Sequence, residues 1–285
     1  MGVVGGGLMG SGIAEMGARA GIDTVVVEVD GDAAVRARQR VEASMARALR
    51  SAKLTEEAVE SARGLLRYTA DYEALRDREL IVEAVFEAES EKIKVFSALD
   101  RMVDSPSVIL ASNTSSIPIM KLAMATQRPA SVIGIHFFNP VPVLKLVELV
   151  TSLLTADETA ARAEAFATGQ LGKLVIRSRD RAGFIVNALL IPYLLSAVRM
   201  LESGFATRED IDAGMVEGCA HPMGPLALTD LIGLDTTMAW PSRSTRSSRS
   251  RCMRRPHSCR EWLTPACSAA RRVAASTSTG DQRAR

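Results

Sequence analysis

Histidine is scarce in this chain: His136, His221 and His257 are the only three. His136 stands out, because it ends the apolar run Val132-Ile133-Gly134-Ile135 and precedes Phe137-Phe138-Asn139-Pro140. Imidazole titrates near neutral pH, so it can accept a proton and return it within one turnover. Ligands of open parallel sheets bind beyond the carboxyl ends of the strands, which is where a base at position 136 would stand. On composition alone, a buried structural histidine remains the stronger reading. A second constellation lies at the start of the chain. Gly5-Gly6-Gly7-Leu8-Met9-Gly10 satisfies G-x-G-x-x-G after a short β run and opens a helix. Gly5 permits a tight turn, Gly7 lets a pyrophosphate approach the backbone, and Gly10 lets helix and strand pack closely. Leu8 and Met9 belong to the same helix N-terminus, whose unpaired N–H groups and partial positive charge suit phosphates. Glu28 closes the next apolar run, 21 residues after Gly7. A carboxylate there accepts hydrogen bonds from a ribose 2′-hydroxyl and repels a 2′-phosphate, favouring NAD over NADP. Asp30 competes for that role, and a plain glycine turn beside a solvated acid is the bland alternative.

The elements that must hold these groups alternate. Strands are expected at 2–4, 24–29, 80–84, 108–111, 132–135, 145–150 and 173–177, and helices at 9–20, 32–52, 56–62, 90–103, 117–125 and 157–171. Strands that are apolar without clean alternation suit a parallel sheet covered on both faces, and alternating β and α indicates a doubly wound α/β domain. From Gly183 the pattern turns helical. An apolar helix at 184–201 is interrupted by Pro192, Thr207 caps a helix running to about Met215 with Asp210 as its capping-box acid, and a third helix spans 226–238. The expectation is therefore a Rossmann-type domain over 1–181, a smaller and incomplete all-α domain over 182–240, and an unordered tail over 241–285.

Composition limits the function classes. Of the 285 residues, 47% are hydrophobic and 24% charged, ordinary for a globular protein. No run approaches the ~18 apolar residues of a membrane span, and four cysteines do not make a disulfide scaffold. The net charge of +2 hides an asymmetry. Residues 241–285 carry 11 Arg and only Glu261 and Asp281, giving +9, which leaves 24 basic and 31 acidic residues in 1–240, or −7. An acidic body with 4% aromatics is not expected to bind nucleic acid. No basic n-region precedes an apolar stretch at the start, so a cytoplasmic enzyme is expected.

Several motifs occur together and in order: Gly5–Gly12, Ala111-Ser112-Asn113-Thr114-Ser115-Ser116, His136-Phe137-Phe138-Asn139-Pro140-Val141-Pro142, Lys145-Leu146-Val147-Glu148, Gly183-Phe184-Ile185-Val186-Asn187 and His221-Pro222-Met223-Gly224-Pro225. Over about residues 2–238 the chain resembles the L-3-hydroxyacyl-CoA dehydrogenase family, most closely its bacterial 3-hydroxybutyryl-CoA members. The resemblance implies NAD-linked oxidation of a 3-hydroxyacyl-CoA to the 3-ketoacyl-CoA, or the reverse reduction. It implies His136 as general base and Glu148 as the carboxylate that orients it, 12 residues away and so within reach of the adjacent strand. It further implies that Ser115, Asn139 and Asn187 hold the substrate oxygen. Glu87, Lys92 and Asn113 would surround the nicotinamide and its ribose, although exposed helix-start charges explain Glu87 and Lys92 equally well. The helix around 42–53 would be the element that contacts CoA, with Ser44 as a contact residue and Arg50 and Lys53 pairing with the CoA phosphates. A lysine the family pattern places near position 51 is here Ser51, and solvated charges are the alternative.

The tail departs from the family. Residues 241–285 hold one Leu, one Val, no Ile and three of the four cysteines, without helical or strand period. A basic tail for nucleic acid or membrane, and a metal site from Cys252, His257, Cys259 and Cys267, both fit less well than a shifted reading frame after about Ala239. An incomplete helical domain would weaken the homodimer that the resemblance implies. Two competing functions stay open: a dehydrogenase of free hydroxy or sugar acids, and a non-catalytic NAD-binding protein of the same fold.

Overall fold

Runs such as Leu80-Ile81-Val82 lack alternation because both of their faces are covered. Val3 joins a cluster with Ile13, Ala14, Val26, Val82 and Ile133 on one side of the sheet. Its neighbour Val4 joins Val25, Ile81, Phe96, Leu99 and Leu110 on the other. The structure, a computed structural model, describes residues 1–233, so the tail at 241–285 and the end of the helix expected at 226–238 lie outside the described residues. The chain divides into a unit of Met1–Phe184 and a second unit from Ile185 onward.

The first unit carries one eight-stranded sheet: β1 (Gly2–Val4), β2 (Thr24–Val27), β3 (Leu66–Thr69), β4 (Leu80–Glu83), β5 (Ile109–Ser112), β6 (Val132–Phe137), β7 (Leu146–Thr151) and β8 (Leu174–Arg179). Their spatial order is 3-2-1-4-5-6-7-8. The chain runs outward from β1 through β2 and β3, then returns to β4 on the other side of β1. The carboxyl ends of β1 and β4 thus flank the switch point, where an open α/β sheet leaves its ligand crevice. Six strands are parallel, whereas β7 pairs antiparallel to β6 and β8 pairs parallel to β7. The helices are α1 (Leu8–Arg19), α2 (Gly31–Arg50), α3 (Glu56–Gly64), α4 (Glu89–Met102), α5 (Ile119–Ala123) and α6 (Asp157–Ala165).

Three local features differ from the sequence expectation. Strand β3 had no signal, since Leu66-Arg67-Tyr68-Thr69 is short and polar; as an edge strand it packs one side only, and its residues are half-buried or exposed. Helix 157–171 breaks at Phe166 into a π-helical turn over Phe166–Gln170. Helix 32–52 stops at Arg50, because Ala52 turns into the left-handed region at φ 54° and leaves Lys53 outside the helix.

The second unit holds α7 (Val186–Glu202), α8 (Arg208–Cys219) and α9 (Pro225–Ile232), with Pro192 inside α7. Thr207 caps α8 by accepting from Asp210 N at 3.2 Å. Asp212 caps α9, accepting from Leu226 N at 2.8 Å and Ala227 N at 3.0 Å. Ala197, Val198, Ile211 and Leu226 form its small core. Among the described residues no helix is long and apolar enough to cross a membrane.

Phe96, fully buried between α4 and the sheet, is a sensitive point of the first core. Phe96→Ala is expected to lower the unfolding free energy by about 3–5 kcal/mol, the usual transfer-plus-cavity loss. A urea titration followed by circular dichroism checks this; a loss below about 1 kcal/mol would contradict the packing described.

Candidate functional site

The glycine turn joins β1 to α1 across a narrow gap. Gly5 sits at φ +90°, and a Cβ there would lie 3.0 Å from the Ala84 carbonyl carbon and the Val85 Cα just beyond β4. A Cβ on Gly10 would stand 1.8 Å from the Gly5 carbonyl oxygen, so only glycine lets α1 lie this close to the turn. Gly7, the N-cap of α1, offers no capping side chain, and the first turn, with Leu8 and Met9, holds no acid. A Cβ on Gly7 would meet nothing within 4 Å. The helix therefore presents an uncapped N-terminus to open space, and this cradle fits the pyrophosphate of a dinucleotide such as NAD.

The two acids after β2 have separate positions. Asp30 caps α2, accepting from Ala33 N at 2.7 Å. Glu28 reaches back to the turn, where its Oε1 accepts from Gly6 N at 2.6 Å. Arg40 of α2 donates to the Gly6 carbonyl oxygen at 3.1 Å. The Gly6 peptide is thus held at both ends by charged side chains. Arg40 gave no sequence signal, since it lies mid-helix among other arginines.

A buried ionic cluster lies beside β4. Glu83, the last residue of β4, is 0% exposed. Its Oε1 accepts from Lys92 Nζ at 2.6 Å and Val85 N at 2.7 Å, and its Oε2 accepts from Ser112 Oγ at 2.6 Å. Lys92 is 1% exposed, which excludes the solvated helix-start charge considered from sequence. Glu87 Oε1 accepts from Thr114 Oγ1 at 2.5 Å, Ser116 Oγ at 3.0 Å and Ser115 N at 3.2 Å, and its Oε2 lies 3.2 Å from Lys92 Nζ. Burial pushes the Glu87 carboxyl up, but the Lys92 charge and the hydrogen bonds from Thr114 and Ser116 outweigh it and hold the group below the ordinary carboxylate value. Glu83 was not singled out in the sequence, and Ser112 and Thr114 stood there only as members of the motif 111–116. A signal existed for Glu83: an acid ends the apolar run Leu80-Ile81-Val82 just as Glu28 follows the valines of β2.

The same loop reaches the histidine. Asn113 N donates to the Glu83 carbonyl oxygen at 2.9 Å, and Asn113 Oδ1 accepts from Phe137 N at 2.9 Å. His136 and Glu148 are register partners in the antiparallel pair β6·β7. His136 Nδ1 and Glu148 Oε2 are 2.7 Å apart, with Glu148 0% and His136 6% exposed. The rings of Phe138 and Phe184 stand edge-on to the imidazole, with centroids at 4.6 and 5.4 Å. An ionised carboxylate only accepts, so the tautomer of a neutral imidazole that fits this contact carries its proton on Nδ1 and leaves the Nε2 lone pair free.

The remaining residues lie on separate elements. Ser115 is half-buried in the loop after β5, and Asn139 is exposed in the turn after β6. Asn187 lies in the first turn of α7 in the second unit. Ser44 is half-buried on α2, whereas Lys53 is exposed beyond that helix.

Comparison with known proteins adds kinship to this geometry. The family model for the 3-hydroxyacyl-CoA dehydrogenase NAD-binding domain matches residues 1–181, and that for the 3-hydroxyacyl-CoA dehydrogenase C-terminal domain matches residues 183–271. A 3-hydroxybutyryl-CoA dehydrogenase of Mycobacterium tuberculosis strain H37Rv is 56% identical over 236 residues, covering 83% of this chain and 82% of the relative. The mitochondrial hydroxyacyl-coenzyme A dehydrogenase of Sus scrofa is 40% identical over 241 residues, covering 82% and 76%. Among solved structures, FadB2 of M. tuberculosis aligns with a TM-score of 0.91 and 51% identity, covering 92% of each chain. The (S)-3-hydroxybutyryl-CoA dehydrogenase PaaH1 of Ralstonia eutropha aligns with a TM-score of 0.86 and 41% identity, also covering 92% of each.

The depressed Glu87 value gives a signed pH dependence. A carboxyl held lower in the folded than in the unfolded state adds stability above its unfolded value, and that contribution is lost as the pH falls through the folded value. Glu87→Gln is therefore expected to lower the urea midpoint at pH 7, with the two proteins converging in acid. A gap that stays constant with pH would contradict the assignment.

Proposed function

The chain belongs to the 3-hydroxyacyl-CoA dehydrogenase family, and on that premise we propose that it interconverts a short-chain (3S)-3-hydroxyacyl-CoA, 3-hydroxybutyryl-CoA first among them, and the 3-ketoacyl-CoA with NAD. The observation that carries this reading is the 2.7 Å bond between His136 Nδ1 and Glu148 Oε2. NAD, held at the glycine turn, would supply the acceptor for the hydride that leaves C3 of the substrate. His136 Nε2 takes the proton of the 3-hydroxyl in the oxidation and returns it in the reduction. Glu148 keeps the imidazole in the tautomer with Nε2 free and stabilises the imidazolium, as a buried carboxylate does in other triads. Phe138 and Phe184 restrict the ring and keep water from its faces.

Ser115, Asn139 and Asn187 orient the substrate oxygen with uncharged groups, which leaves the proton affinity of His136 to Glu148. Gly5, Gly7, Leu8, Met9 and Gly10 receive the pyrophosphate, and Glu28 takes the adenosine ribose. Glu87 and Asn113 border the nicotinamide end, and buried Lys92 acts there from beneath, through Glu87. Ser44 contacts the CoA moiety, and Lys53 pairs with its phosphates. The same reading expects a homodimer in the cytoplasm.

An assay of NADH consumption with acetoacetyl-CoA, run beside free acetoacetate, tests this. Wild type is expected to consume NADH only with the thioester. His136→Gln is expected to lower kcat by roughly 10²–10⁴-fold, the usual worth of a positioned acid–base group, while NADH still binds. Equal turnover of the free acid would point to a hydroxy-acid dehydrogenase instead. NADH binding without turnover would point to a non-catalytic member of the fold.

A further inference from the structure

Glu83 is fully buried, and the Lys92 ammonium it binds also pairs with Glu87. Lys92 has three donors and meets three acceptors: Glu83 Oε1 at 2.6 Å, Glu87 Oε2 at 3.2 Å and the Val85 carbonyl oxygen at 3.3 Å. The closest of these is Glu83, so the ammonium is shared between two carboxylates and sits nearer the buried one. Val85 N and Ser112 Oγ fix that carboxylate from two further directions. Two carboxylates and one ammonium carry a formal charge of −1. Of the three, Glu87 reaches the surface, with a side chain 26% exposed just beyond the carboxyl end of β4.

We propose that Glu83 is a positioning residue that acts through Lys92 to keep the cofactor crevice negative, and so contributes to the ratio of its affinities for the oxidised and the reduced nicotinamide. The proposal rests on the NAD-linked reading above. The oxidised nicotinamide ring is cationic and the reduced ring is neutral, while the pyrophosphate, riboses and adenine are common to both. Contributions from the glycine turn and Glu28 therefore cancel in the ratio of the two affinities, and a charge beside the ring does not. Glu83→Gln keeps the shape of the side chain but leaves Lys92 to neutralise Glu87, which raises the local charge by one unit. Damage to packing alone would weaken both cofactors alike.

The test is calorimetric titration of NAD+ and of NADH into wild type, Glu83→Gln and the double variant Glu83→Gln/Lys92→Met at one pH and salt concentration. Glu83→Gln is expected to raise the ratio of Kd for NAD+ to Kd for NADH about tenfold, the order expected for one unit charge across a partly dry cleft. The double variant removes one charge of each sign, so its ratio is expected within about twofold of wild type even where both affinities fall. An unchanged ratio in Glu83→Gln, or a double variant that keeps the shifted ratio, overturns the proposal. So does failure of both variants to give a cooperative thermal transition, which would make Glu83 a folding residue only. If wild type binds neither cofactor, the NAD-linked reading itself fails, an outcome distinct from an unmoved ratio.

Discussion

In the antiparallel pairing of β6 and β7, His136 and Glu148 lie directly opposite each other, and the arrangement of the site depends on that registration. Directly opposed residues have Cβ atoms about 4.5–5.5 Å apart, close enough for one hydrogen bond between their side chains. A one-residue slip would send every side chain of β7 to the other face of the sheet and leave a carboxylate among apolar neighbours. An unpaired buried charge is strongly destabilising, so the register that gives the imidazole its partner is also the one the chain can fold into. The cost of burying Glu148 and the chemistry of His136 are therefore two aspects of one contact.

The glycine turn solves a different problem, one of space. Phosphates need bare N–H groups, and a helix can present them only when nothing caps it. The Gly7 cap of α1 has no side chain to fill the position, whereas α2, α3 and α8 are capped by Asp30, Thr55 and Thr207. The uncapped end stands at the switch point between β1 and β4, and Gly5 and Gly10 allow the backbone to come this close there.

Between the turn and the histidine runs a chain of polar contacts: Glu83 to Lys92 and Ser112, Lys92 to Glu87, Glu87 to the loop 114–116, and Asn113 to Phe137. Such a network contributes little net stability for its many bonds, because desolvating several charges offsets much of their attraction. Its value lies in geometry. Each donor of Lys92 and both oxygens of Glu83 are used, so the loop that carries Asn113 and Ser115 has few alternative arrangements.

The residues by themselves determined a great deal. The glycine spacing, the apolar strands and Glu28 defined a doubly wound dinucleotide-binding fold, because local turns and burial patterns are written in short stretches of chain, whereas His136 as base and Glu148 as its partner entered only through the resemblance that the ordered motifs carry. Strand β3, the break at Phe166 and the end of α2 before Lys53 were less legible, since edge strands and helix ends carry weak periodic signals. Only the tertiary structure decided that Asp30 caps α2 while Glu28 reaches the turn, that Arg40 meets Gly6, and that Lys92 is buried between Glu83 and Glu87. These outcomes depend on which side chains meet across elements far apart in the chain, and on whether water or a partner satisfies each charge. A linear sequence shows the charge of a residue, but its neighbours and its solvent exist only once the sheet and helices have packed.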